Sequence, residues 1–148
     1  MRTKAINEVT LEFPSHSSNE GFARSAAACF AAQLDPTLNE LEDIKTAVSE
    51  AATNAIVHAY PDSLGKISLR ASVFDGNVLE IVVRDWGRGI ENVEKAREPL
   101  YTTGGEDRSG MGFTIMESFM DSLCVRSRLG KGTVVTMKRR IAQRAGRK

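Results

Sequence analysis

The alternation of hydrophobic and polar residues predicts five strands and three helices. Period-two alternation predicts a strand at VTLEF (9–13), and two hairpin patterns predict paired strands at KISLRASVF (66–74) with NVLEIVVRD (77–85) and at SLCVRSRL (122–129) with GTVVTMKRR (132–140). Helical spacing or alanine-rich composition predicts helices at 19–34, from Thr37 or Asn39 to just before Pro61, and at 111–120. Strands joined by short turns and grouped helices predict an α+β fold. We expect a two-layer sandwich, with a mostly antiparallel sheet and helices on one face.

Turn-forming residues separate these elements. Asp35-Pro36 ends the first helix. Phe74-Asp75-Gly76-Asn77 and Gly130-Lys131-Gly132 predict two tight hairpins. Residues 86–110 contain five glycines and Pro99, and we predict a loop there. A loop of this length in a compact domain is usually functional or mobile.

Length and composition predict one soluble domain. The chain has 148 residues, 41% of them hydrophobic and 26% charged, which is ordinary for a globular protein. The sequence shows no signal peptide and no apolar run long enough to span a bilayer. We therefore expect a cytoplasmic protein with no membrane partner. Cys29 and Cys124 are expected to be free thiols, and His16 and His58 lack the ligand spacing of a zinc site.

Positive charge is concentrated at the C-terminus. KRRIAQRAGRK (138–148) carries six Lys or Arg residues, and removing six from the net charge of +1 leaves −5 for residues 1–137. We interpret the end of the chain as solvated, with a domain at 1–140 and a disordered basic tail at 141–148. No aromatic residues interleave with these charges and the body is acidic, so direct nucleic-acid binding is not expected.

The second helix carries a polar pair opposite an apolar stripe. Residues one turn apart at ~100° per residue form the stripe: Leu41, Ile44, Val48, Ala52, Ala55 and Ala59. Glu50 and Asn54 point to the other side, whose companions are Thr46, Ala47, Thr53 and Val57. A wet surface would explain a lone Glu-x-x-x-Asn, but this side lacks the Lys and Glu of a solvated face. We therefore predict a covered pocket beside the helix.

Two glycine motifs complete the candidate site. DWGRGI (85–90) follows a strand and places a carboxylate before glycines that permit close backbone approach. SGMGF (109–113) opens a helix, where exposed N–H groups and the positive dipole end favour phosphate. Either motif alone is common, as a strand-ending turn or a helix entry. The ordered set of three motifs is much more specific.

This ordered set resembles the ATP-binding motifs of gyrase, histidine kinases and MutL, the GHKL family with its Bergerat-type fold. Within it, DIKTAVSEAATNAIVHAY (43–60) and PLYTT with RSGMGFTIMESFMD resemble the bacterial anti-sigma factors that are serine kinases. The resemblance covers roughly residues 7–138. It implies ATP or ADP as ligand, Mg²⁺ as cofactor and a homodimer.

The resemblance also implies a role for each matched residue. Glu50 would be the catalytic base for an attacking hydroxyl, and Asn54 would bind Mg²⁺ through its amide oxygen. Asp85 would bind the adenine amino group, with Thr133 supporting the base. Residues 91–109 would form a lid. The remaining nucleotide contacts would come from Gly87, Gly89, Thr102, Thr103, Arg108, Ser109, Gly110, Met111, Gly112 and Phe113.

Two of the implied roles have plain alternatives. Arg108 would place charge near the γ-phosphate, but a solvated loop arginine explains it equally well. Arg24, in EGFARSAAACF, matches an arginine used for partner contact, although the sequence alone indicates a surface arginine on an alanine-rich helix.

Three functions follow from the resemblance. The first is an anti-sigma factor that inhibits a sporulation sigma factor of the sigma F type and phosphorylates a serine on an anti-anti-sigma factor. Its close variant acts on a general-stress sigma factor. The second is an ATP-gated sigma-binding module without kinase activity, which would not need Glu50. The third, a histidine kinase catalytic domain, would need a phosphoacceptor helix that His16 and His58 do not supply.

Overall fold

A computed structural model of the chain describes residues 4–98 and 112–142. These residues form a five-stranded sheet with the order β1-β2-β3-β5-β4, in which every neighbouring pair is antiparallel. The strands are β1 (Asn7–Pro14), β2 (Lys66–Phe74), β3 (Val78–Asp85), β4 (Ser122–Arg128) and β5 (Gly132–Arg140). The predicted strands and the antiparallel α+β class are confirmed.

The three predicted helices are present, with one addition. They are α1 (Asn19–Ala31), α2 (Leu38–Asn54) and α4 (Gly112–Phe119). A 3₁₀ turn (Ala32–Leu34) extends α1, and a π-helical turn (Ala55–Ala59) extends α2. The prediction that 86–98 is entirely loop was wrong, because α3 (Val93–Ala96) forms there, capped by the Asn92 side chain on Lys95 N–H at 3.0 Å.

A capping box fixes the start of α2. The Thr37 hydroxyl accepts a hydrogen bond from Glu40 N–H at 3.0 Å, and the Glu40 carboxylate accepts one from Thr37 N–H at 2.9 Å. This reciprocal pair satisfies two of the N–H groups that a helix start leaves unpaired. The capping box therefore defines where α2 begins.

The core lies between one face of the sheet and the helices. Alternate strand residues supply the sheet side, among them Ile67, Leu69, Leu79, Ile81, Val135 and Met137. The predicted α2 stripe is buried, except that Leu41 is half-buried. Ala47 and Ala51 are also buried, although Ala47 was predicted to face the pocket. Burial is wider than one stripe because α2 packs against both α1 and α4.

The first residues of the basic C-terminus belong to the fold. Lys138 to Arg140 lie in β5, and Ile141 is 1% exposed in the core. Arg139 donates to the Asp43 carboxylate at 2.9 Å and to the Phe119 carbonyl at 2.6 Å. Arg139 therefore departs from the solvated interpretation, since it binds α2 and the end of α4, whereas the side chains of Lys138 and Arg140 are exposed. Residues 143–148 lie outside the described part of the chain.

The state of the cysteines and the length of the helices complete the description of the fold. Cys29 and Cys124 are free, as predicted, and both are exposed. Within residues 4–98 and 112–142, no helix has the length and apolar character needed to cross a membrane.

Candidate functional site

The end of α2 and the start of α4 bring two sequence motifs together. A Cβ atom added to Gly112 would lie 3.2 Å from both the Oδ1 and Nδ2 atoms of Asn54. It would lie 3.4 Å from Oε1 of Glu50. The two Asn54 distances are shorter than most Cβ contacts, so a side chain at position 112 would displace the Asn54 amide by a few tenths of an ångström, whereas the Glu50 distance borders on ordinary contact. Glu50, Asn54 and the N-terminus of α4 thus form one cluster, as the motifs predicted.

This cluster has the chemistry of a phosphate and metal site. The first N–H groups of an eight-residue helix lack intrahelical partners and carry the positive end of the helix dipole. The Asn54 amide oxygen beside them is a hard ligand suited to Mg²⁺, which takes its other ligands from phosphate and water. The donor set therefore fits Mg²⁺ bound together with a phosphate group.

Asp85 forms the other end of the site. It is the last residue of β3 and is 7% exposed. Its Oδ1 atom accepts hydrogen bonds from Gly87 N–H at 2.9 Å and from Thr133 N–H at 3.2 Å. Burial raises the pKa of Asp85 above that of an ordinary aspartate, and the two N–H groups oppose the rise. Neither bond uses Oδ2, which leaves that oxygen to accept from a ligand.

Thr133 lies beside Asp85 because β3 and β5 are neighbours. The two residues are directly paired in the sheet. Thr133 is 8% exposed, and its hydroxyl lies 2.7 Å from the hydroxyl of Ser127 on β4. The structure thus places the two residues predicted to meet the base side by side.

The motif glycines allow close approach between parts of the chain itself. A Cβ atom at Gly87 would collide with the backbone of Ala59, at the end of the π-helical turn. Gly89 has φ +78°, and a Cβ atom there would collide with the Arg128 carbonyl. Arg88 N–H also donates to the Ala59 carbonyl at 3.1 Å. The glycines therefore pack the loop after β3 onto α2 and the last hairpin, while their approach to a nucleotide stays a prediction.

Tyr60 and Trp86 belong to the site surroundings and were not predicted. The Tyr60 hydroxyl accepts from Trp86 N–H and donates to the Lys66 carbonyl, both at 2.7 Å. Burial raises the Tyr60 pKa, so the phenol stays protonated and able to donate. The Trp86 ring lies within 4.4 Å of Lys66 Nζ and 4.7 Å of the Arg84 guanidinium, measured to its centroid. The one tryptophan of the chain thus adjoins Asp85.

The other predicted residues divide into two groups. The Phe113 side chain is buried in the core, so only its backbone could serve a ligand. Arg24 is half-exposed on α1 and pairs with Glu20 at 3.0 Å, which in turn accepts from the Ser49 hydroxyl beside Glu50. The second group lies outside the described residues: Thr102, Thr103, Arg108, Ser109, Gly110 and Met111.

Sequence comparison identifies the class of domain. Residues 13–139 match the histidine kinase-like ATPase domain family. The chain belongs to this family, whose ATPase character implies nucleotide binding. The resemblance inferred from the three motifs is therefore confirmed at the level of the family.

Curated relatives narrow the comparison to anti-sigma factors. The anti-sigma F factor of Caldanaerobacter subterraneus subsp. tengcongensis is 56% identical over 138 residues, 93% of this chain and 96% of that protein. The anti-sigma F factor of Geobacillus kaustophilus is 54% identical over 139 residues, covering 93% and 94%. The resemblance to anti-sigma factors is thus confirmed over nearly the whole chain.

Solved structures share the fold. The RsbU and RsbW domains of a Mycobacterium tuberculosis protein match with a TM-score of 0.69 at 18% identity, covering 94% of this chain and 34% of that one. A histidine kinase domain from Erythrobacter litoralis matches with a TM-score of 0.57 at 25% identity, covering 82% and 61%. This chain corresponds to only part of each of these longer chains.

Proposed function

We propose that this protein is a cytoplasmic anti-sigma factor that inhibits a sporulation sigma factor and phosphorylates a serine on an anti-anti-sigma factor. The observation that carries the proposal is the cluster in which Gly112 lies against both Asn54 and Glu50. More than half of the residues are identical to those of anti-sigma F factors, which supports the choice of partner. A homodimer, with Arg24 contacting a partner protein, belongs to the same proposal.

The two ends of the site have different functions in this proposal: one binds the adenine base and the other binds the phosphates. Asp85 and Thr133 orient the adenine base, and the start of α4 binds the phosphates through backbone N–H groups. Asn54 binds Mg²⁺, which neutralises charge on the phosphates when it is bound. Phosphoryl transfer depends mainly on such positioning and charge stabilisation.

A protein that binds ATP without transferring a phosphate would not need the carboxylate of Glu50. Its carboxylate lies beside Asn54 at the entrance to α4. From there it would accept the proton of a serine hydroxyl that approaches the terminal phosphate, which is the role of a general base. Glu50→Gln keeps the size and the hydrogen-bonding oxygen of the side chain but removes this basicity.

The proposal is tested by following label from γ-labelled Mg-ATP to the anti-anti-sigma factor. We expect transfer to one serine, lost in Glu50→Gln while ATP affinity is retained. Glu42→Gln is the matched control, because Glu42 is an exposed residue on the same helix that pairs with Lys45 at 3.4 Å. Transfer by Glu50→Gln at the wild-type rate would show that another residue is the base.

Two further results bear on the partners and on the metal. ATP binding and sigma capture without any transfer would make the protein an ATP-gated binding module instead. Asn54→Ala should weaken ATP binding in the presence of Mg²⁺ and change it little in its absence. Equal calorimetric affinity for Mg-ATP in this variant would overturn the metal assignment.

A further inference from the structure

Ser127 joins three segments at the base end of the site. Its hydroxyl accepts a hydrogen bond from Ile90 N–H at 2.7 Å, in the loop after β3. It donates to the Gly132 carbonyl at 3.0 Å and lies 2.7 Å from the Thr133 hydroxyl. No motif singled out this serine, and its own side chain lies on β4 rather than on either strand that carries a predicted base contact.

Either hydroxyl could donate in the bond between Ser127 and Thr133 by geometry alone, and we assign its direction by requiring that every neighbour of Ser127 is satisfied. A serine hydroxyl has one proton and two lone pairs. The Ser127 proton goes to the Gly132 carbonyl, which can only accept. One lone pair takes Ile90 N–H, so the second accepts the Thr133 proton. Thr133 is thereby a donor to Ser127, and its own lone pairs can only accept from a ligand.

When its proton is bonded to Ser127, Thr133 offers a ligand only hydrogen-bond acceptors, as its neighbour Asp85 does. Both Asp85 Oδ2 and the Thr133 hydroxyl oxygen then present acceptors at adjacent ends of β3 and β5. Two acceptors complement the amino group of a 6-aminopurine. They disfavour a 6-oxopurine, whose carbonyl oxygen is itself an acceptor, because facing acceptors leave each other unpaired.

We propose that Ser127 is a positioning residue that binds the Thr133 proton and so makes the base end of the site select 6-aminopurine over 6-oxopurine nucleotides. This inference rests on the proposed nucleotide site. Ser127 touches no ligand in this scheme. It acts through Thr133, and a residue with a purely structural role would affect both kinds of nucleotide equally.

The test compares Ser127→Thr with Ser127→Val, a pair of similar shape that differs in a hydroxyl against a methyl group. Dissociation constants for Mg-ATP and for Mg-inosine triphosphate are measured by calorimetry and by the fluorescence of Trp86. The quantity compared is the dissociation constant for Mg-inosine triphosphate divided by that for Mg-ATP. We expect Ser127→Thr to keep the wild-type value of this ratio. In Ser127→Val the Thr133 proton is released and can be donated to the oxo group, so the ratio should fall about fivefold to tenfold.

Two controls isolate the route through Thr133. Ser122→Val changes an exposed serine on the same strand and should leave the ratio unchanged. In a Thr133→Val background, Ser127→Val should cause no further change in the ratio, because the proton it would release is already gone. A further fall in that background would overturn the route through Thr133.

The remaining outcomes are distinct. An unchanged ratio in a folded Ser127→Val variant, or an equal loss for both nucleotides, would overturn the proposal while leaving the ATP site intact. Ser127→Ala replaces Ser127→Val if the valine prevents folding, and failure of both to fold would make Ser127 a structural residue only. A wild-type protein that binds neither nucleotide would overturn the proposed function and this inference together.

Discussion

Replacement of Asp85 by asparagine should separate stability from nucleotide binding. Asparagine retains Oδ1, so Gly87 N–H and Thr133 N–H can donate to it as they do to the carboxylate. The variant removes the cost of burying a charge on a residue that is 7% exposed. It also replaces Oδ2, an acceptor, by an NH₂ group that donates. The oxygen that accepts the two backbone hydrogen bonds is thus preserved, while the group predicted to face the adenine changes from a hydrogen-bond acceptor to a donor.

The expected loss in affinity follows from one charged hydrogen bond. Such a bond contributes about 1.5–3 kcal/mol, which corresponds to a roughly 10- to 150-fold weaker binding of ATP. Inosine triphosphate should lose much less, because its oxo group can accept from the new NH₂ group. Calorimetric titration with both nucleotides measures the two effects, and Asp75→Asn, in an exposed turn at the opposite end of β3, is the matched control.

The effect on stability should depend on pH in a defined direction. Burial raises the pKa of Asp85 in the folded protein. Ionisation of this carboxyl therefore lowers the free energy of unfolding as pH rises from about 3.9, the ordinary aspartate value, through the raised folded value. Asp85→Asn should then be at least as stable as wild type at pH 7, and should lose this advantage near pH 4. A variant clearly less stable at pH 7, or one with unchanged ATP affinity, would refute the reasoning.

Three other variants test separate contacts. Gly112→Ala should weaken ATP binding roughly tenfold, which is about the loss of one hydrogen bond, because the added Cβ atom crowds Asn54. The temperature of thermal unfolding should be unchanged or slightly higher. Wild-type affinity for ATP in this variant would contradict the crowding of Asn54. Thr37→Ala should lower the free energy of unfolding by about 1 kcal/mol through loss of the helix cap, measured in urea, with ATP affinity unaltered. Tyr60→Phe should cost about 1–2 kcal/mol for two hydrogen bonds and shift the emission of Trp86; identical spectra and stability would exclude the proposed contact.

The strands and the main helices could be predicted because their signals are local. Residues 66–74 alternate between polar and apolar side chains, and residues 78–85 are rich in valine and isoleucine. In the turn between them, Gly76 and Asn77 both have positive φ. The start of α2 was predicted at Thr37 or Asn39, and Thr37 is its N-cap, with both halves of the capping box formed. Such features depend on neighbours within a few residues, which is the range that a sequence pattern samples.

The details that were missed depend on tertiary contacts. Arg139 looked like part of a solvated run, yet its partners Asp43 and Phe119 come from α2 and α4. Ser127 gains its role from segments 37 residues before it and 5 to 6 residues after it. The short helix α3 has no apolar stripe to reveal it. Hydroxyls and arginines have many possible partners, and only the packed chain selects among them.

The two ends of the candidate site are mechanically joined through the end of α2. Glu50 and Asn54 lie in its last regular turns, and the π-helical turn that follows ends at Ala59. The Ala59 backbone packs on Gly87 and accepts from Arg88 N–H, directly after the Asp85 that closes β3. A displacement of the loop after Asp85 would therefore press on the helix that carries Glu50, the proposed catalytic base, and Asn54, the proposed metal ligand. Because packed protein interiors are only slightly compressible, this packing links the proposed adenine contact at Asp85 to the position of Glu50, the proposed catalytic base.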